Sequence, residues 1–270
     1  MKKTIKRTLT VIVTLVFLLV SSVATSAFFI DGVGPFPNLL NGTHRWLIDQ
    51  GFDILEHEQF AVANWFCEDA RALIWEYIDW PDHNERGGDL FSTIMGSWHS
   101  YRPEDSLCTI GRTAETAMTR FIFWYEFAIE QHMGGEEEAA FRALGKSIHY
   151  LTDLSSPPHT GERSFEMLFG TRVFNPIRVL YNGLTHFIYE AAVVVVQNNY
   201  AVQCGGLYDW FMQNCLEYIA HQTARYSVAF YQRMCRGAIQ APLERAQRNV
   251  AGVLYRFYHE AQMDGAIQAK

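Results

Sequence analysis

Apolar residues recur every three or four positions through most of the chain. From His44 to Glu58, the residues Leu47, Ile48, Phe52, Ile54 and Leu55 fall on one face of a helix, and Asn41-Gly42-Thr43 supplies cap-type residues just ahead of it. Residues 62–78 and 113–132 carry the same periodicity. The stretch from Glu136 to Leu154 opens on three glutamates, where negative charge suits a helix N-terminus, and closes on Ser155-Ser156-Pro157-Pro158. Helical patterns return over 183–198, 206–233 and 241–262. The β-branched run Val193–Val196 has strand-like composition, but its flanks continue the helical pattern. Turn residues crowd 80–110 and 155–182, which predicts long loops there. The expectation is an all-α fold, a single compact multi-helix domain with neither a flexible linker nor a repeat.

The first thirty residues depart from this pattern. Lys2, Lys3, Lys6 and Arg7 precede an apolar run from about Leu9 to Val20, and small residues lead to Ala27. That order predicts a secretory signal peptide over residues 1–27, with Ala24 as an alternative cleavage point. The run is short for a membrane span, which takes about 20 apolar residues. Residues 28–270 are then the expected mature domain, and an exported protein, periplasmic or extracellular, is the predicted location.

Charge narrows the choice of partners. The full chain carries 22 basic and 29 acidic residues, a net −7. Loss of residues 1–27 removes four basic residues and no acid, leaving 243 residues and a net −11. Such an acidic surface disfavours binding to a phosphate backbone, so no nucleic acid is expected. Cys67, Cys108, Cys204, Cys215 and Cys235 show no Cys-x-x-Cys spacing and so do not suggest thiolate zinc. Two disulfides with one free thiol, or reduced cysteines packed as small hydrophobes, both fit an exported chain.

Histidines and carboxylates carry the candidate chemistry. His149 and Asp153 stand at i and i+4, one turn apart on the same helix face. The residues between them are apolar or small, which predicts a buried pair able to share a metal ion. His159 follows just beyond Pro157-Pro158. His186 and Glu190 repeat the i, i+4 arrangement. His44 at the first helix and His99 after the Pro81-Asp82 loop complete the set. His57, His83, His132, His221 and His259 have no such partners in the pattern and are expected to be surface or packing residues.

Taken together, Gly-Thr-His-Arg-Trp at 42–46, Pro81-Asp82, Trp98-His99, the string HYLTDLSSPPH at 149–159, His186-x-x-x-Glu190 and AGVLYRFYHE at 251–260 resemble the zinc-dependent phospholipase C family of secreted bacterial enzymes. The family's all-α fold is shared with single-strand nucleases. The resemblance implies up to three zinc ions. Asp82, His99, His149 and Asp153 would hold the first, and His159, His186 and Glu190 the second. The third would take His44, a bridging oxygen of Asp153, and the amino group and carbonyl of the mature N-terminal residue. That residue is a Trp in the family and Phe28 here. Asp82 precedes His99 by 17 positions, more than the family's spacing, and Asp79 is the alternative ligand.

The resemblance further implies a phosphodiesterase that cleaves glycerophospholipids, phosphatidylcholine by default, to diacylglycerol and a phosphorylated head group. Asp82 would be the catalytic base, and the partner a phospholipid with peripheral membrane contact. Two other readings compete. One is a single-strand nuclease, a class that usually closes its second zinc site with His-x-x-x-Asp rather than the His-x-x-x-Glu seen here. The other is a non-catalytic exported zinc-binding helical protein.

Overall fold

The computed structural model describes residues 42–85, 98–101, 103, 115–160, 212–233 and 236–268, and everything regular among them is helical. The helices are α1 (Gly42–Glu58), α2 (Phe60–Trp65), α3 (Glu68–Tyr77), α4 (Trp80–Asn84), α5 (Ala117–Met133), α6 (Glu137–Leu154), α7 (Pro157–Thr160), α8 (Met212–Arg233) and α9 (Arg236–Gln268). The all-α expectation holds. The signal-peptide segment, the pattern over 183–198 and the Val193–Val196 run lie outside the described residues.

Helix α6 is the centre of the molecule. It packs against α1, α3, α4, α5, α7, α8 and α9, and from Ala143 to Leu154 every residue but Lys146 is buried. Glu137 and Glu138 occupy its first turn, as the sequence predicts, where they complement the helix dipole. Gly145 permits the approach of α3, since a Cβ there would stand 2.5 Å from the Ile74 carbonyl oxygen. Helices α5 and α6 form an antiparallel pair whose turn contains Gly135 at φ 79°. On the other side Gly51 of α1 admits Val250 of α9. Phe66, Phe141, Tyr125, Phe257 and the half-buried Trp65 join these helices in one aromatic cluster. Each large apolar side chain buried in this way contributes about 1.5–3 kcal/mol.

Several element boundaries differ from the sequence reading. The continuous helix expected over 62–78 breaks at Phe66 and Cys67, whose backbone is extended (ψ 91° and 168°). Phe66 turns fully into the core, and Glu68 and Asp69 then supply the acidic first turn of a new helix. Within the loop expected over 80–110, Trp80–Asn84 closes into a short helix with Pro81 in its first turn, a position that proline tolerates. Pro157 lies within the first turn of α7 inside the second expected loop. Helix α5 starts at Ala117 rather than 113 because Thr116 caps it, exchanging hydrogen bonds with Thr119. Helix α9 runs from Arg236 through Pro242, well beyond the expected 241–262. Buried Ala238, Ile239, Leu243, Ala246 and Val250 give it one continuous apolar face, which outweighs the single donor lost at the proline.

Candidate metal centre

Four elements bring the predicted ligands together. Helix α6 supplies His149 and Asp153 from its buried face. Helix α1 supplies His44, α4 supplies Asp82, and α7 supplies His159. His99 lies in a turn at residues 98–99, between α4 and α5 in the chain. Its neighbours hold that turn in place: Tyr101 N–H donates to the His159 carbonyl (3.0 Å), Ala117 N–H donates to the Ser100 carbonyl (3.3 Å), and the Tyr101 hydroxyl donates to Glu217 of α8 (2.8 Å).

The ligand atoms face one another. His99 Nδ1 is 2.9 Å from His149 Nε2, 3.0 Å from Asp153 Oδ2 and 3.6 Å from Asp82 Oδ1. His149 Nε2 is 3.4 Å from Asp153 Oδ2 and 3.5 Å from Asp82 Oδ1. Ligands standing about 2.0–2.2 Å from a tetrahedral zinc are separated by about 3.3–3.6 Å, and these spacings approach or match that. The donor set, two imidazole nitrogens and two carboxylate oxygens, is one zinc accepts. The residues therefore fit a metal ion. The other Asp153 oxygen, Oδ1, faces His159 Nε2 at 3.3 Å and His44 Nε2 at 3.9 Å. Asp153 thus bridges two groups of histidines.

Burial sharpens the electrostatics. His149, Asp153 and His99 are almost completely buried, while 36 % of the Asp82 side chain is exposed at the rim. An unpaired carboxylate in such a place would be costly. In the metal-free protein, burial pushes the Asp153 pKa up, but His159, His149 and His99 outweigh it and hold the carboxyl well below its usual range. Desolvation likewise works to raise the Asp82 pKa and is overcome by His149, His99 and His44, so the pKa is lowered. Burial lowers the His149 pKa, yet Asp82 and Asp153 prevail and raise it to about 9. Without metal, protons on imidazole serve as the counter-charge.

Asp79, the alternative to Asp82, pairs with Arg45 (2.8 Å), whose guanidinium lies over Trp75, and also acts electrostatically on His149. Phe28, His186 and Glu190 lie outside the described residues. Among the histidines expected to be ordinary, His132 packs against Trp65 and Phe257, and exposed His221 lies beside half-buried Glu217 (3.8 Å). Cys67 is exposed and free and Cys215 half-buried and free. Neither forms a disulfide in the structure, and Cys67 does not pack as a buried hydrophobe; Cys108, Cys204 and Cys235 lie outside the described residues.

Two neighbours of the site carried no sequence signal of their own. Glu85, three residues after Asp82, has a largely covered side chain and accepts hydrogen bonds from Arg120, Trp124 Nε1 and the Tyr150 hydroxyl. It anchors the end of α4 to α5 and α6. Burial and the Glu85 carboxylate raise the Tyr150 pKa, so the phenol remains a donor. Thr152, between the two α6 ligands, contacts His44.

These features define a class: an all-α protein with a buried histidine–aspartate cluster and a likeness to phospholipase C. No family model matches the chain. It is 24 % identical over 262 residues to a phospholipase C of Paraclostridium bifermentans, covering 81 % of this chain and 59 % of that protein. It is also 24 % identical over 176 residues to a phospholipase C of Bacillus cereus, covering 62 % and 55 %. The chain thus spans less than three fifths of the length of these curated relatives. Among solved structures, the alpha toxin of Clostridium absonum superposes with a TM-score of 0.56 at 18 % identity, over 86 % of this chain and 65 % of the toxin. The alpha-toxin of Clostridium perfringens gives 0.55 at 19 %. The all-α fold of this chain is thus shared with about two thirds of each toxin.

Proposed function

We propose that the chain is an exported, zinc-dependent phospholipase C that hydrolyses glycerophospholipids, with phosphatidylcholine as the default substrate. The observation that carries this reading is the convergence of Asp82, His99, His149 and Asp153, with ligand atoms 2.9–3.6 Å apart in the five measured pairs. The similarity to proteins named phospholipase C supports the substrate class.

Zinc held there supplies positive charge that offsets the negative phosphodiester and makes a nearby water more acidic. His99, His149 and Asp153, all nearly fully buried, would hold that charge on the inner side of the site, where it is less screened than at the surface. Asp82 sits at the exposed rim and stays ionised, so it can accept a proton from an attacking water. Glu85 keeps α4, and with it Asp82, in register with α6. His44 and His159, on the second Asp153 oxygen, would hold further zinc, together with His186, Glu190 and the mature N-terminus at Phe28. Export rests on the basic and apolar order of residues 1–27. Among the described residues no helix is long and apolar enough to cross a membrane.

The test is hydrolysis of short-chain phosphatidylcholine by the mature protein. Phosphocholine should appear, vanish with chelator, return with zinc, and be at least 100-fold slower in His149→Ala. A folded, zinc-loaded protein that releases no phosphorylated head group from any glycerophospholipid would overturn the proposal. Cleavage of single-stranded nucleic acid instead would transfer the site to the nuclease reading.

A further inference from the structure

Thr152 lies on α6 between His149 and Asp153 and is buried. Its hydroxyl oxygen is 2.6 Å from the backbone carbonyl oxygen of His149 and 2.5 Å from His44 Nδ1. A threonine hydroxyl carries one proton. Two oxygens this close need a proton between them, so the hydroxyl donates to the carbonyl. It must then accept at the other contact, which places a proton on His44 Nδ1. A neutral imidazole with Nδ1–H bears its lone pair on Nε2, the nitrogen that faces Asp153 Oδ1. The His44 ring also packs against the His149 ring at 4.2 Å between centroids, which holds its plane.

We propose that Thr152 is a positioning residue that locks His44 in the Nδ1–H tautomer and so presents Nε2 as the lone-pair nitrogen beside Asp153. Its consequence for zinc rests on the metal reading above, whereas its tautomer claim does not. Outer contacts of this kind fix which imidazole nitrogen is available, and their loss typically weakens metal binding 10- to 100-fold.

The test compares wild type, Thr152→Val and Thr152→Ser. Side-chain 15N spectra of the metal-free proteins, at a pH where His44 is neutral, read the tautomer directly. Wild type and Thr152→Ser should show a protonated Nδ1 and an unprotonated Nε2 at His44, and Thr152→Val should lose that preference. In chelator competition, Thr152→Val should bind the zinc shared by His44 and Asp153 about 10- to 100-fold more weakly. Thr152→Ser should bind it like wild type. A wild-type His44 protonated at Nε2, or a folded Thr152→Val protein with unchanged tautomer, overturns the proposal. So does Thr152→Ser behaving like Thr152→Val, because the effect would then belong to the lost methyl group. If wild type takes up no zinc but shows the locked tautomer, the positioning role stands and the metal reading falls.

Discussion

Asp153 turns one carboxylate oxygen to His99 and His149 and the other to His159 and His44. A residue so placed holds the site together electrostatically, and the His149 proton answers its charge. The folded His149 pKa, about 9, lies above the ordinary 6.5. Its contribution to stability is therefore complete below about pH 6.5 and is lost as pH rises through 9. Thermal melts of the chelator-treated protein should show a falling Tm across that window. Zinc binding should show the opposite trend, tightening by up to tenfold per pH unit as the competing proton leaves. A flat Tm and a flat affinity between pH 6.5 and 9 would show that His149 is not protonated in the fold. At this scale much of the site was legible in the sequence. The i, i+4 spacing of His149 and Asp153 needs only helical geometry, and α6 provides it. Thr152 and Glu85 were not legible, because their roles depend on contacts with residues 108 and 65 positions away. Nor could spacing alone decide between Asp82 and Asp79; in the fold Asp82 stands 3.5 and 3.6 Å from His149 and His99, while Asp79 pairs with Arg45.

Helix α6 offers two ligands, and its position depends on how closely its neighbours can approach. Gly145 is where α3 comes nearest, with the Ile74 carbonyl against the bare Cα. Ala there gains about 1 kcal/mol of helix propensity. It also meets a rigid backbone oxygen, and forcing extra atoms into a packed contact costs about 1–3 kcal/mol. The contact should win, because neither helix backbone can yield locally. Gly145→Ala is expected to lower Tm by several degrees and to weaken zinc retention, as measured by calorimetry and metal content. An unchanged or raised Tm would mean that α3 and α6 have room to separate. Lys146 of α6 covers Trp80 of α4 at 3.7 Å and Trp124 of α5 at 4.1 Å from the ring centroids, and Glu85 closes the far end of α4. Helix existence followed from periodicity, but helix ends did not. The break at Phe66 and Cys67 reflects Phe66 entering a core built by α6 and α9. The passage of α9 through Pro242 reflects a buried face that no local pattern weighs against the proline.

For the whole molecule, the cluster sits where α1, α4, α6, α7 and the His99 turn converge, so it forms only when the bundle is assembled. Any ion bound there binds the folded state alone and stabilises it by mass action. The acidic net charge of −7 suits a site that gathers cations more than a surface that binds nucleic acid. The all-α class was readable because nearly every segment shares one period. Assembly of the cluster became readable through the combined motif string, since no single His-x-x-x-Asp pair specifies what faces it.

Metal content tests this account most directly. The mature protein, dialysed after exposure to zinc, should retain at least one zinc per chain, with X-ray absorption showing only nitrogen and oxygen ligands at about 2.0–2.2 Å. His149→Ala and Asp153→Asn should lose it while remaining helical. Wild-type protein that is folded yet retains no zinc, or that holds it equally well in both variants, would contradict the account.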